Sequence, residues 1–322
     1  LALIDEGKKV YAVNADYANS GTIYYTSKAG SYRSIINMTN TNKGYSYSLS
    51  GMLEKSFRFG LDLMMNYTFG RSYSVNDGTS SVAFSNWGYY YNVDPNAPTL
   101  APSMFDVPHR FMATVAYNSK RYGGGRWQTH VSLTYNGTSG QRYSLTMSDN
   151  SNASFNGDYR RGNTLLYIPT AEELAKMKFS DIKNKAGLVT ATAAQQRDAF
   201  EAWIQNDSYA RKHRGQYATR NSHLTPWENH FDLHFSQDFF YLKERGSKVE
   251  LVFDILNVAN LLNKKWGTSY SSVYNIDKLA VNKTTADANG NQIGDFSFYD
   301  NTTNINDVDS RWHAQIGLRV TF

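Results

Sequence analysis

Apolar and polar residues alternate along much of this chain. At the C-terminus Trp312, Ala314, Ile316, Leu318, Val320 and Phe322 share one parity, and His313, Gln315, Gly317, Arg319 and Thr321 share the other. A period of two puts the two sets on opposite faces of a β-strand. Tyr45, Tyr47, Leu49, Gly51 and Leu53 oppose Ser46, Ser48, Ser50 and Glu54, and Leu61, Leu63, Met65, Tyr67 and Phe69 oppose Asp62, Met64, Asn66 and Thr68. Further stripes run from Phe111 to Tyr117, Trp127 to Tyr135, Phe231 to Phe235 and Val249 to Ile255, and Val10 to Asp16 is a weaker first candidate. The pattern thus predicts eight strands. Half of them are as long as the ~9–11 residues that a tilted strand needs to cross a bilayer.

The connections decide what the apolar faces meet. Short links lie near Arg58, at Arg121 to Gly125 and at Leu242 to Ser247; long ones are Val75 to Pro108, Ser148 to Glu228 and Ser271 to Arg311. Compact soluble domains rarely contain such long links. Counted back from the last strand, every short link falls at one end of the sheet and every long link at the other. Outer-membrane barrels pair short periplasmic turns with long extracellular loops in this way. The expected fold is all-β: an antiparallel transmembrane β-barrel whose apolar parity faces lipid and whose polar parity faces the lumen. Within the longest loop, Thr170 and Glu173 form a capping box that starts a short helix to about Met177, and Ala193 to Gln205 reads as a second helix with Phe200, Trp203 and Ile204 on one side. No internal repeat or Pro-rich linker divides the chain, so one domain is expected.

Composition narrows the picture. Aromatic residues make up 15% of the chain, with 24 Tyr and 17 Phe, which fits aromatic girdles at two membrane interfaces. The longest strongly apolar stretch, Leu251 to Leu262, is interrupted by Asp254, Asn257 and Asn260, so no helix of the chain spans a membrane. The formal charge of +5 comes without a run of Lys and Arg, so no nucleic-acid partner is expected.

Several motifs together resemble a known family. FDLHFSQDFF, VELVFDILNVANLLNKKWG and the terminal RWHAQIGLRVTF look like the end of a TonB-dependent outer-membrane transporter. Asn260 to Asn263 is similar to that family's signature in the penultimate strand, and Phe322 matches its terminal barrel-assembly signal. DVPHRF (Asp106 to Phe111), NTLLYIP (Asn163 to Pro169), RGQYATRN (Arg214 to Asn221) and PWENHFDL (Pro226 to Leu233) resemble the SusC/Oar-like, carboxypeptidase-regulatory-like branch found in Bacteroidetes. The resemblance implies that residues 1–322 are the C-terminal strands of a large barrel of about 22 strands, with a plug and an N-terminal domain outside this chain. It also implies a location in the outer membrane of a Gram-negative bacterium. The implied activity is import of a peptide or glycan nutrient, energised by the TonB–ExbB–ExbD complex through the plug, with outer-membrane lipid and a surface lipoprotein as further partners. Asp62, Glu250, Asp254 and Arg319 would then face the plug from the lumen wall.

The alternative is a complete eight-stranded barrel acting as a structural or adhesion protein; a secretion or assembly channel is a third reading. No enzyme, cofactor or metal is expected. The seven histidines show no triad spacing, and His230 and His234 on a strand would be hydrated lumen residues. Asp287, Asn289, Asn291 and Asp295 put Gly290 at the fourth place of a calcium-like loop rather than the sixth, which reads as a surface turn. Candidate ligand contacts lie in the outer loops. Trp87, Tyr89, Tyr90 and Tyr91 could stack on sugar rings or peptide side chains, and Arg211, Arg214, Arg220 and Trp227 could hold a carboxylate.

Overall fold

In a computed structural model, the structure describes residues 39–149, 162–242, 247–271, 273–286 and 292–322, with two short strand pairs at 4–5/8–9 and 25–27/30–32. The candidate strand from Val10 to Asp16 lies outside the described residues.

Seven long strands build one antiparallel wall. They are β1 (Tyr45–Ser56), β2 (Leu61–Ser74), β3 (His109–Asn118), β4 (Gln128–Thr138), β6 (Glu228–Leu242), β7 (Ser247–Leu256) and β10 (His313–Thr321). Between them the outer segments contribute β5 (Arg142–Asp149), β8 (Asn275–Ala286) and β9 (Gln292–Phe298). Neighbours in sequence are neighbours in the wall, in the order β10-β7-β6-β4-β3-β2-β1, and the two-residue strand Ala101–Pro102 pairs with the end of β2. Among the described residues β1 and β10 are the two edges and do not meet.

The register aligns the two parities across strands. Leu63, Val115, Leu133, Leu233, Ile255 and Ala314 stand opposite one another from β2 to β10 and form one apolar row. The adjoining row is polar apart from Ala116: Asp62, Ala116, Ser132, His234, Asp254 and Gln315. All seven carboxylates of the wall strands (Glu54, Asp62, Glu228, Asp232, Asp238, Glu250 and Asp254) lie on the polar parity. A one-residue slip of β1, β2, β6 or β7 would turn its carboxylates outward, so this pattern fixes their register.

Aromatic side chains collect at both ends of the apolar face. At the long-loop end Tyr45 stacks on Tyr73 with ring centroids 5.1 Å apart, and Tyr135 bridges Phe111 at 5.8 Å and Phe231 at 4.8 Å. At the short-turn end Phe57 meets Phe59 at 5.5 Å, and Tyr122 meets Trp127 edge-on at 5.8 Å. The two expected girdles are therefore present in the described wall.

The long links are not plain loops. They fold into a second layer whose sheet pairs β5 in parallel with β8, β8 antiparallel with β9, and β9 in parallel with the two-residue strand Lys178–Phe179. Helices α1 (Ala83–Gly88), α2 (Ala171–Lys176) and α3 (Ala193–Asn206) belong to these links. Capping boxes at Thr170/Glu173 and Thr192/Gln195 start α2 and α3. Leu145, Leu166, Ile168, Leu174, Phe179, Phe200, Ile204, Leu279 and Phe298 bury one another as the core of this layer. The signature-like Asn260 to Asn263 does not lie in a strand as expected. Asn257 adopts φ 55° beyond the end of β7, which stops the extended run, and one helical turn α4 (Val258–Leu262) follows.

The parity of the wall gives a direct measurement. A Leu133→Arg change puts a cation into the apolar row and is expected to cost about 2–4 kcal/mol near mid-bilayer. Thr134→Arg, facing the lumen, should cost well under half of that. Urea unfolding of the full-length protein in lipid vesicles, followed by tryptophan fluorescence, separates the two.

Candidate functional site

The outer layer meets the wall at a buried ion pair. Asp106, in the turn that enters β3, is almost fully buried. Its Oδ2 accepts from Arg142 Nε at 2.9 Å and Nη2 at 2.7 Å, while its Oδ1 accepts from the Ser72 backbone N–H at 2.7 Å. Arg71 approaches the same carboxylate at 3.8 Å. The other edge of Arg142 reaches the Asn221 carbonyl at 3.3 Å. Asn221, held at φ 55°, exchanges hydrogen bonds with the Ser144 hydroxyl and donates to the Pro102 carbonyl at 2.8 Å. One carboxylate therefore ties β2, β3, β5 and the returning longest link together.

Of the aromatic and cationic candidates, Tyr90 and Arg220 are brought face to face. The Arg220 guanidinium lies 3.9 Å from the Tyr90 ring centroid and donates to the carbonyls of Ser74 at 2.6 Å and Val75 at 3.0 Å. The Tyr90 hydroxyl also donates to the Val75 carbonyl. Burial lowers the Arg220 pKa to about 10, against the opposing pull of Asp77. The pair thus clamps the longest link to the end of β2.

Tyr91 donates to Asn275 Oδ1 at 3.1 Å, beside the Thr146–Asp277 hydrogen bond of 2.6 Å. Burial, helped by Asp277 and Tyr274, pushes the Tyr91 hydroxyl up to about 12. Trp87 packs on Phe84 at 5.9 Å. Arg214 sits apart from this cluster, on Glu201 and the Pro169 carbonyl, and Arg211 donates to the Gln205 carbonyl at 3.1 Å. Tyr89 and Trp227 keep the largest exposure of the aromatic candidates, 56% and 40%.

A cavity of about 200 Å³ opens in the outer layer between β5, β8, α3 and residues 300–303. Its polar lining was not singled out in the sequence. The signal was there in the alternation of Tyr143, Leu145 and Met147 and of Ile276 with Lys278, but these residues come together only through the parallel pairing of β5 and β8. His223 Nε2 donates to Asp207 Oδ2 at 3.1 Å, and Lys278 Nζ lies 5.0 Å from the Trp203 ring centroid while donating to the Asn301 carbonyl. Trp203 stacks in parallel on Phe200.

Burial opposes ionisation of Asp207, yet hydrogen bonds from His223 and from the Ala210 and Tyr209 amides outweigh it and hold the carboxyl below its usual range. Burial, reinforced by Asp207, pushes the Tyr143 hydroxyl up to about 12. Burial also depresses the Lys278 ammonium, with Asp300 and Asp207 pulling the other way. The result is a small mouth-side cleft with a fixed carboxylate, an imidazole, an ammonium and an indole. Such a lining suits a polar ligand bearing hydroxyl, amide or charged groups.

His230 and His234 on the wall have protein partners. His234 lies 2.5 Å from Asp254, and His230 lies 3.5 Å from Glu228 and 3.3 Å from Ser269. Among the described residues no three metal-ligating side chains converge. The lumen-face charges expected from sequence pair within the wall: Glu250 with Arg319 at 3.0 Å and with Lys248 at 3.4 Å, and Asp62 with Asn118 at 3.0 Å. In the calcium-like loop Asp287, Asn289 and Asn291 lie outside the described residues, and Asp295 pairs with Lys178 at 3.0 Å.

Residues 8–304 match the family described as the outer membrane beta barrel domain. The chain belongs to that family, and its place is the outer membrane of a Gram-negative bacterium. No curated protein and no solved structure matches it.

Two measurements probe the mouth. Asp106→Asn leaves Arg142 buried without its counter-charge, a loss of about 3–5 kcal/mol. Residues 162–224 should gain amide exchange and protease sensitivity while the wall strands stay protected. The second follows from Asp207. A carboxyl held low stabilises the fold above the usual range near pH 4 and loses that contribution as pH falls through its own lowered pKa. Exchange protection around β5 and residues 207–213 should therefore drop below about pH 4, and Asp207→Asn should flatten that dependence.

Proposed function

We propose that this outer-membrane barrel forms the wall and outer mouth of an active importer for a peptide or glycan nutrient, driven by the TonB–ExbB–ExbD complex. The observation that carries the reading is the open arc of the wall. Among the described residues its edges β1 and β10 do not meet, and the lumen-side Arg319 side chain keeps 66% of its surface. An eight-stranded barrel has an interior that its own side chains just fill. The exposed polar face of the described wall supports the wider lumen that a plug and a permeant require.

The outer layer supports the same reading. A core of buried apolar residues holds the long links as a folded mouth, and the cleft beside Asp207, His223 and Lys278 offers polar contacts to an arriving solute. The motif resemblance supplies the energy source and the plug. A closed eight-stranded barrel would instead need a strand near Val10, outside the described residues, to pair with both β1 and β10.

Uptake tests the proposal. A strain without the gene is expected to lose growth on one nutrient class, restored by the wild-type gene and weakened by a Lys278→Ala/Asp300→Ala version. Unchanged import of peptides, glycans and metal chelates would refute it.

A further inference from the structure

The lipid-facing parity of the wall carries no carboxylate in its described strands, and its cations sit near the rims. At the short-turn rim, Lys55 ends the lipid-facing series of β1, Arg58 sits in the β1–β2 turn, and Lys120 and Arg126 sit in the β3–β4 turn. All four are exposed, and none makes an ion pair among the described residues.

The two turns are fixed side by side. Asn118 N–H donates to the Gly60 carbonyl at 2.8 Å. Gly60 has φ 96°, and a Cβ there would stand 2.1 Å from the Asn118 carbonyl oxygen, so only glycine allows this approach. Arg121 points the contrast. It belongs to the same turn as Lys120 and Arg126, yet it runs to the lumen side and pairs with the buried Asp238 at 3.0 Å. On the lumen side of this end, Asp238 is thus already held by Arg121 and Lys248, and Asp62 by Asn118.

Aromatic rings accompany the cations. Lys55 Nζ lies 5.9 Å from the Phe57 ring centroid, and Phe59 and Trp127 are 59% and 44% exposed beside the two turns. Aromatic rings of this kind settle at headgroup depth. Cations at that depth meet lipid phosphates, and short turns of such barrels face the periplasm.

We infer that the short-turn rim is a docking surface for anionic glycerophospholipid headgroups, with Lys55, Arg58, Lys120 and Arg126 contacting phosphodiesters and Phe59 and Trp127 resting at the ester level. The occupant follows from charge complementarity among the described residues: four cations without an ion pair, no lipid-facing carboxylate and an aromatic belt at one height. This inference is independent of what the barrel transports.

Native mass spectrometry of the full-length protein, released from detergent with added phosphatidylglycerol, cardiolipin or phosphatidylethanolamine, tests it. Each cation near an anionic surface contributes roughly a five-fold gain in affinity. The variant K55Q/R58Q/K120Q/R126Q should therefore retain at least about ten-fold less phosphatidylglycerol and cardiolipin, with phosphatidylethanolamine unchanged. A loop-layer control, K183Q/K185Q, should retain wild-type amounts. Heat-modifiable gel mobility checks that the variant barrel has assembled. If it has not, the single variant Arg126→Gln and a salt titration of wild type take its place, and retention should fall in both. Equal retention of anionic lipid in wild type and variants overturns the inference. So does an equal loss of phosphatidylethanolamine, or displacement of the phospholipids by lipopolysaccharide at this rim.

Discussion

Hydrocarbon tolerates neither an unpaired backbone amide nor an exposed carboxylate, and the wall of this protein is arranged around both prohibitions. Consecutive strands pair along their length, which satisfies the amides between them. Their seven carboxylates then fall on one parity, where Arg121, Lys248, Arg319, His234 and neighbouring amides can receive them. The same alternation that hides charge from lipid produces a lumen lined with ion pairs. Orientation, register and lumen chemistry are thus consequences of a single sorting rule.

Above the bilayer the rule no longer holds, and the architecture changes with it. Water can satisfy loop backbone there, so the long links are free to build a conventional core, with Phe200, Leu145 and Leu279 fully enclosed. That core needs an anchor on the wall. Asp106 provides it by receiving Arg142 and the Ser72 amide at one point, and the Arg220–Tyr90 contact repeats the strategy at the end of β2. Both anchors use arginine, whose planar fork meets a carboxylate, a carbonyl pair or a ring face with little loss of freedom.

The wall was legible in the sequence because its information is local: each strand announces itself by alternation, and consecutive strands pair. The helices after Thr170 and within Ala193–Asn206 were legible for the same reason, through caps and spacing. The outer sheet was not. β5 and β8 lie on different links, and neither reads as half of a hairpin with the other. Tyr90 and Arg220 each stood out as ligand contacts, but nothing in their spacing announces that they face one another. The one-turn helix after β7 was hidden by the apolar run around it, since the break comes from the backbone of Asn257 rather than from a change in hydropathy.

The parallel pairing of β5 with β8 also sets an order of events. Thr146 and Asp277, bonded across it, are 131 residues apart in the chain, whereas the hairpin of β1 and β2 closes over Phe57 to Gly60. Distant segments carry the larger entropic penalty of closure and meet late. Wall hairpins can therefore zip while the outer layer is still open chain, and the cleft is completed only when the strands following β7 arrive. A barrel stalled midway through assembly would carry paired wall hairpins beneath an unfinished outer layer, so completion of that layer reports on completion of the whole sheet.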